Sequence, residues 1–132
     1  MTPGRTGAVG SFVLALAIAV GAFGAHTLAG RLTAERMGTL DTAVSYQFYG
    51  GLGLLALAVI GAAGPRHATL AARRATTLLC AGLLLFCGAL YGLAAGGPRL
   101  LGLVAPFGGV AMIAAWAYLG LVLWRGPVTT GP

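Results

Sequence analysis

Charged residues are scarce in this sequence, and lysine is absent from it. Only 8% of the residues are charged, whereas a typical soluble domain has roughly 25%. Glu35 and Asp41 are the only acids among the 132 residues. So few charges cannot cover a water-facing surface, and 58% of the residues are hydrophobic. The composition therefore excludes an ordinary soluble protein and predicts an integral membrane protein whose apolar residues face lipid.

The sequence also lacks the residue combinations that catalysis and metal binding require. Its two histidines, His26 and His67, belong on opposite faces of the membrane, so they cannot converge on a metal or a haem. No nucleophile–base pattern and no phosphate-binding glycine loop is present. Cys80 and Cys87 lie seven residues apart in one apolar segment, a separation of about 10 Å that excludes an intrahelical disulfide. We therefore predict no enzyme activity, no metal and no cofactor.

The net charge of +6 does not indicate nucleic-acid binding. All eight basic residues other than histidine are arginines, and they are scattered through connecting segments without interleaved aromatic residues. Such positions suit the phosphate groups of lipid headgroups. We expect the lipid bilayer as the partner and no nucleic acid.

Four charge-free segments are present instead. They cover residues 6–30, 42–65, 75–98 and 100–124. Each is longer than the roughly 20 residues that cross a hydrocarbon core as a helix. The first is also longer than the roughly 7–15 apolar residues of a cleaved signal peptide, so we expect it to be retained. The predicted fold is all-α, a four-helix transmembrane bundle in one domain, residues 1–132, with helices at about 7–28, 42–63, 75–97 and 101–124.

The connection between the first two spans carries a helical pattern. Thr33 is a suitable N-cap, and apolar residues recur at helical spacing at Met37, Leu40, Val44 and Phe48. This pattern predicts a short interfacial helix between helices 1 and 2 that runs into the second span. The alternative is a polar loop followed directly by the span.

The distribution of arginines predicts the orientation. One side of the membrane would hold five arginines: Arg5, Arg66, Arg73, Arg74 and Arg125. The other would hold three: Arg31, Arg36 and Arg99. Because positive charge favours the cytoplasmic side, we expect a multi-pass plasma-membrane protein with both termini in the cytoplasm.

Small residues recur at every fourth position in two spans. The series are Ala17, Gly21 and Ala25 in helix 1, and Gly88, Gly92 and Gly96 in helix 3. Ridges of this kind let helix backbones approach closely in lipid. We expect packing within one bundle, with a homodimer contact as the alternative.

Polar and helix-breaking residues gather near one end of the predicted bundle. This outer cluster comprises His26, Asp41, Tyr46, Gln47, Tyr91, Pro106, Gly108 and Gly109. In a functional interpretation it forms a polar vestibule or ligand site. In a structural interpretation, Gln47 and Tyr91 hydrogen-bond between helices and Pro106 lies near a helix start, where proline is tolerated.

Asp41 precedes the second predicted span and is expected near the outer interface. A carboxylate there would be stabilised by the partial positive charge at the N-terminus of the helix. We expect it either to pair with Arg99, which would join the two outer connections, or to serve as an unpaired helix cap.

Several of these residues occur in blocks typical of a known family. The blocks are residues 21–26, 42–44, 46–49, 86–91 and 106–109, with Trp116 downstream. Together they resemble the YgdD-like small membrane proteins, a domain-of-unknown-function family that is similar to transmembrane protein 256. Gly50 occupies a position where that family usually has histidine, Cys87 replaces a small polar residue, and Ala105 replaces a threonine. The resemblance implies a four-helix plasma-membrane protein of unassigned biochemistry.

Two functions are compatible with these features. The first is a non-enzymatic structural or accessory membrane component, within a homo-oligomer or a larger membrane complex. The alternative is a small-molecule or lipid carrier that uses the outer cluster.

Overall fold

A computed structural model describes residues 1–126 and contains four long helices in that range. These are α1 (Pro3–Phe23), α2 (Ala34–Ala63), α3 (Arg66–Ala94) and α4 (Leu101–Arg125). A π-helical turn, Gly24–Leu28, continues α1. All four helices are long and apolar enough to cross a membrane, which confirms the predicted all-α fold. The last part of the predicted domain, residues 127–132, lies outside the described residues.

Three helices begin earlier than the sequence predicted. α1 begins at Pro3 instead of residue 7, α2 at Ala34 instead of 42, and α3 at Arg66 instead of 75. The predicted starts followed the last charge before each apolar segment. In α1 and α3 the helix begins N-terminal to that charge, because long arginine side chains extend to the interface while the backbone stays helical. In α2 the additional residues are those of the predicted interfacial helix. Only Gly64 and Pro65 therefore connect α2 to α3.

The C-terminal end of α3 has a specific cause. α3 ends at Ala94 rather than residue 97 because Gly96 adopts a φ of +90°. The Gly97 N–H then donates to the Gly92 carbonyl at 2.8 Å. This is a Schellman arrangement, which satisfies the last carbonyls of a helix and favours glycine at the left-handed position.

The predicted interfacial helix is the first part of α2 and is continuous with the span. Thr33 is the N-cap, as predicted, and its hydroxyl accepts from the Arg36 N–H at 3.4 Å. Asp41 is exposed in the third turn of α2, so it does not cap the helix. Arg99 lines a groove with Glu35 and Arg36 that does not include Asp41. The contact between the two outer connections is instead the Arg36 guanidinium, which lies beside Gly96.

The helices pack in chain order and form an open bundle. α2 and α3 are central, α1 packs on α2, and α4 packs on α3. Within residues 1–126, α1 and α4 do not pack against each other along their lengths. The buried core lies between α2, α3 and α4 and includes Leu54, Leu79 and Met112. This arrangement leaves one groove between α1 and α3 and another between α2 and α4.

Two pairs of glycines bring helix backbones together. A Cβ added at Gly10 would lie 2.9 Å from the Gly51 carbonyl oxygen, in the contact between α1 and α2. A Cβ added at Gly82 would lie 2.8 Å from the Gly108 carbonyl oxygen, in the contact between α3 and α4. Small residues at these crossings let van der Waals contact hold helices together in lipid.

The glycines of the predicted helix 3 ridge have different surroundings. Gly88 has no atom within 4 Å of an added Cβ. At Gly92 the added atom would meet only the flexible end of Leu101, and at Gly96 it would meet Arg36. In the helix 1 series, Ala17 is buried and Gly21 lies against Val44, whereas Ala25 is exposed.

Candidate functional site

Gln47 is the most buried polar residue of the outer cluster. Its position on α2 places it on the same stripe as Leu40 and Ala43, so it faces the neighbouring helices and is only 5% exposed. Its Nε2 donates to the Val13 carbonyl of α1 at 2.9 Å. Its Oε1 accepts from the Tyr91 hydroxyl of α3 at 2.5 Å. A single amide therefore joins three helices, and these bonds satisfy groups that are costly to leave unpaired in hydrocarbon.

Cys87 adds a second bond between α2 and α3. It is buried one turn before Tyr91, and its thiol donates to the Ala43 carbonyl at 3.6 Å. We refer to Val13, Ala43, Gln47, Cys87 and Tyr91 as the polar junction. From the sequence alone, Cys87 was considered only for a disulfide with Cys80 and as the replacement of a small polar residue. Its spacing of four from Tyr91 was the signal that both share one face of the helix.

A groove of about 320 Å³ lies beside the polar junction. α1 and α3 form its walls and α2 forms its floor; we call it the α1–α3 groove. Its lining residues are Val9, Val13, Leu16, Gln47, Leu54, Cys80, Leu83, Leu84, Cys87, Gly88 and Tyr91. The lining is apolar apart from the junction residues, so the groove suits a ligand that is largely hydrocarbon.

A second groove, of about 270 Å³, lies between α2 and α4 above α3. Its lining is rich in aromatic residues. The Tyr46 and Phe86 rings are tilted at 50° with centroids 4.7 Å apart. The Trp116 ring packs on Gly53, where an added Cβ would lie 2.6 Å from a ring carbon. Gly109 also lines this α2–α4 groove.

A third groove, of about 560 Å³, lies at the end of the molecule where the α1–α2 and α3–α4 connections meet. It is lined by Thr33, Glu35, Arg36, Thr39, Leu93, Gly96, Gly97 and Arg99. We call it the outer groove. Two guanidinium groups and one carboxylate give it a polar character that suits the lipid headgroup region.

The residues of the predicted outer cluster lie in several different sites of the bundle. Gln47 and Tyr91 meet in the polar junction, whereas Tyr46 and Gly109 line the α2–α4 groove. Gly108 contacts the backbone of α3 at Gly82 and Phe86. The three remaining members, His26, Asp41 and Pro106, are exposed. The structure therefore does not bring the eight residues into one vestibule.

Potential metal ligands do not cluster in the part of the chain that the structure describes. Within residues 1–126, no three of the His, Cys, Asp and Glu residues lie close enough to hold one ion. His26 lies in the π-helical turn, and His67 lies in the first turn of α3 at the other end of the bundle. Cys80 and Cys87 are both free thiols on α3.

Comparison with known proteins identifies relatives along most of the chain. The model of a family described as "Protein of unknown function (DUF423)" matches residues 20–109. A UPF0382 membrane protein of Staphylococcus haemolyticus is 38% identical over 111 residues, covering 84% of this chain and 88% of the relative. The UPF0382 inner membrane protein YgdD of Escherichia coli K12 is 39% identical over 102 residues, covering 77% of this chain and 76% of the relative. No solved structure matches the chain. The matched region contains the outer cluster and most of the polar junction.

Proposed function

Because the chain belongs to the DUF423 family of integral membrane proteins, we propose that it serves as a non-enzymatic structural or accessory component of the plasma membrane. The observation that carries this proposal is that polar side chains within the membrane hydrogen-bond to other parts of the bundle. Gln47, Tyr91 and Cys87 all direct their polar atoms at other helices. The hydroxyls of Ser11 and Thr76 bond to their own helix. The three interhelical groups stabilise the packing of the bundle, whereas the two hydroxyls are satisfied within single helices.

The outer helices support an accessory role. α1 and α4 each pack along only one neighbouring helix, so much of their surface faces the bilayer. Phe12 on α1, and Phe107 and Ile113 on α4, are large exposed apolar residues. Such faces are suited to lateral packing against a second copy or a larger membrane complex.

A photo-crosslinking residue in place of Ile113 tests this role. Ile113 is 69% exposed on α4, whereas the adjacent Met112 is 8% exposed and serves as the matched control. In native membranes we expect protein adducts from position 113 and only intramolecular products from position 112. Adducts of position 113 with lipid alone, across growth conditions, would contradict the accessory role.

We also propose that both termini lie in the cytoplasm. Support comes from five arginines at the end that carries the α2–α3 turn, whereas both acids lie towards the other end. The Arg73 Nε donates to the Met1 carbonyl at 3.3 Å, which holds the N-terminus at the same end as that turn. Positive charge favours the cytoplasmic face.

Two single-cysteine probes test the orientation. Gly4 and Gly38 lie towards opposite ends of the bundle, and neither has an atom within 4 Å of an added Cβ. In intact cells, a membrane-impermeant maleimide should label Gly38→Cys and should not label Gly4→Cys until the membrane is opened. The unsubstituted protein is the control, because its two cysteines lie within a span. The reverse labelling pattern would invert the topology.

A further inference from the structure

We propose that the α1–α3 groove binds one acyl chain of a glycerophospholipid, with an ester oxygen of that lipid at the polar junction. This site goes beyond an accessory role, because it assigns a ligand class to a defined part of the molecule.

The groove faces the bilayer. Its lining residues come from three helices that are long and apolar enough to cross the membrane. α1 and α3 are held apart by α2 and do not pack along each other within the described residues. Leu84 on its rim is 77% exposed, and Gly88 opens onto free space. Within the hydrocarbon region, the molecules available to enter such an opening are lipids and other membrane helices.

The size of the groove favours a chain over a helix. A helix is about 10–12 Å wide with its side chains. The groove is a space of about 320 Å³ between α1 and α3, which are both packed on α2. An extended hydrocarbon chain is much thinner than a helix and gains contacts with the apolar walls.

The polar junction supplies a hydrogen-bond donor at one end of this apolar groove. The Gln47 amide has two N–H groups, and one of them is directed at the Val13 carbonyl. The Tyr91 hydroxyl already donates to Gln47. A ligand with an acceptor oxygen at this end, such as an ester carbonyl, complements the second N–H better than a plain hydrocarbon.

The depth of the junction matches the ester region of a phospholipid. Tyr91 lies three residues before the end of α3, which is roughly 5 Å along the helix axis. Ester groups lie at the edge of the hydrocarbon core, below the phosphates. Arg36 and Arg99 line the outer groove at the same end of the molecule, where their charge complements a lipid phosphate.

Filling the groove tests the proposal without disturbing the fold. Gly88 lines the groove and has no atom within 4 Å of an added Cβ, and Gly120 on α4 is equally open but lies outside the groove. We therefore compare Gly88→Leu with Gly120→Leu as the matched control. Both proteins and the unsubstituted chain are purified in mild detergent with phosphatidylglycerol, and bound lipid is counted by native mass spectrometry.

We expect the unsubstituted chain and Gly120→Leu to retain one lipid. Retention by Gly88→Leu should fall by at least about tenfold, because the leucine displaces several methylenes of the chain from the groove. An ether-linked phosphatidylglycerol, which lacks ester carbonyls, should be retained less than the ester-linked lipid. Equal retention by Gly88→Leu, or equal loss in both variants, would overturn the site. Retention of an isoprenoid lipid instead would overturn the assigned ligand class.

Cys80 provides a second readout that does not depend on purification with lipid. It is half-buried in the groove lining. A membrane-permeant maleimide should label Cys80 slowly in phospholipid nanodiscs and faster once lipid is stripped with detergent. A labelling rate that is unchanged by removal of lipid would mean that no chain covers the groove.

Discussion

The hairpins α1–α2 and α3–α4 are built in two different ways. Both have a close approach of helix backbones at a pair of glycines. In α1–α2 the contact is reinforced by the hydrogen bond from Gln47 to the Val13 carbonyl. In α3–α4 the Phe86 and Gly108 backbones meet so closely that no Cβ fits between them. The α3–α4 hairpin also has a polar bond, from the Arg74 guanidinium to the Tyr118 hydroxyl at 3.1 Å, but that bond is exposed. The difference teaches that close helix packing in lipid does not require a buried polar bond, and that the polar junction sets how α1, α2 and α3 fit together.

The largest expected effect is at the α3–α4 contact. A methyl group at Gly108 would collide with the Phe86 backbone nitrogen and the Gly82 carbonyl, which cannot rotate away. We expect Gly108→Ala to lower the free energy of unfolding by about 2–3 kcal/mol through overpacking. The adjacent Gly109→Ala is the control, because its added atom lies 3.8 Å from the Phe86 ring, in ordinary contact. Unfolding in mixed detergent micelles measures the free energy of unfolding of both variants. Equal losses in Gly108→Ala and Gly109→Ala would show that the close backbone contact at Gly108 does not limit packing.

A moderate effect is expected at the polar junction. Gln47→Leu removes two bonds between helices and leaves the Tyr91 hydroxyl without its acceptor. Bonds between membrane helices contribute about 0.6 kcal/mol each on average, so we expect a loss of about 1–2 kcal/mol. Tyr91→Phe alone should cost less, because the Val13 bond remains. A double-mutant cycle measures the coupling, and strictly additive effects would mean that the two side chains do not interact.

The smallest effect is expected at Gly51, the α2 glycine of the α1–α2 contact. A methyl group at Gly51 would lie 2.7 Å from Leu14 Cγ and 3.2 Å from the Gly10 carbonyl oxygen. Leu14 is a flexible side chain, so it can give way where the α3 backbone cannot. We expect Gly51→Ala to cost about 1 kcal/mol or less. A loss as large as that of Gly108→Ala would show that the two hairpins are equally rigid at their crossings.

For Gln47 and Tyr91, the sequence predicted the depth in the membrane but not the contact between them. Gln47 and Tyr91 were predicted at one depth, because both lie a few residues inside the outer ends of apolar segments. That they touch depends on side-chain direction. The register of α2 and α3 places Gly50 beside Leu83 and Gly53 beside Leu79, so Tyr91 belongs above Gln47. Its side chain bridges the gap because long side chains on a helix lean towards its N-terminus.

Other parts of the site gave no pattern that could be recognised in advance. Gly82 and Gly108 are two of 23 glycines, and nothing in their spacing separates a contact glycine from Gly88, which faces open space. The α1–α3 groove arises from the order in which the helices pack. That order depends on the sum of many small contacts, which no local motif encodes.

By itself the sequence determined that this is a four-span α-helical membrane protein, because charge-free segments of sufficient length can be stable only in lipid and only as helices. It also determined the Thr33 cap, which is a local hydrogen bond within one turn. Only the tertiary structure decided which glycines meet, that Arg36 rather than Asp41 joins the outer connections, and that α1 and α3 leave a groove between them. The physical reason is that local hydrogen bonding and hydropathy act within a segment, whereas packing in lipid depends on the matched shapes of helices far apart in the chain.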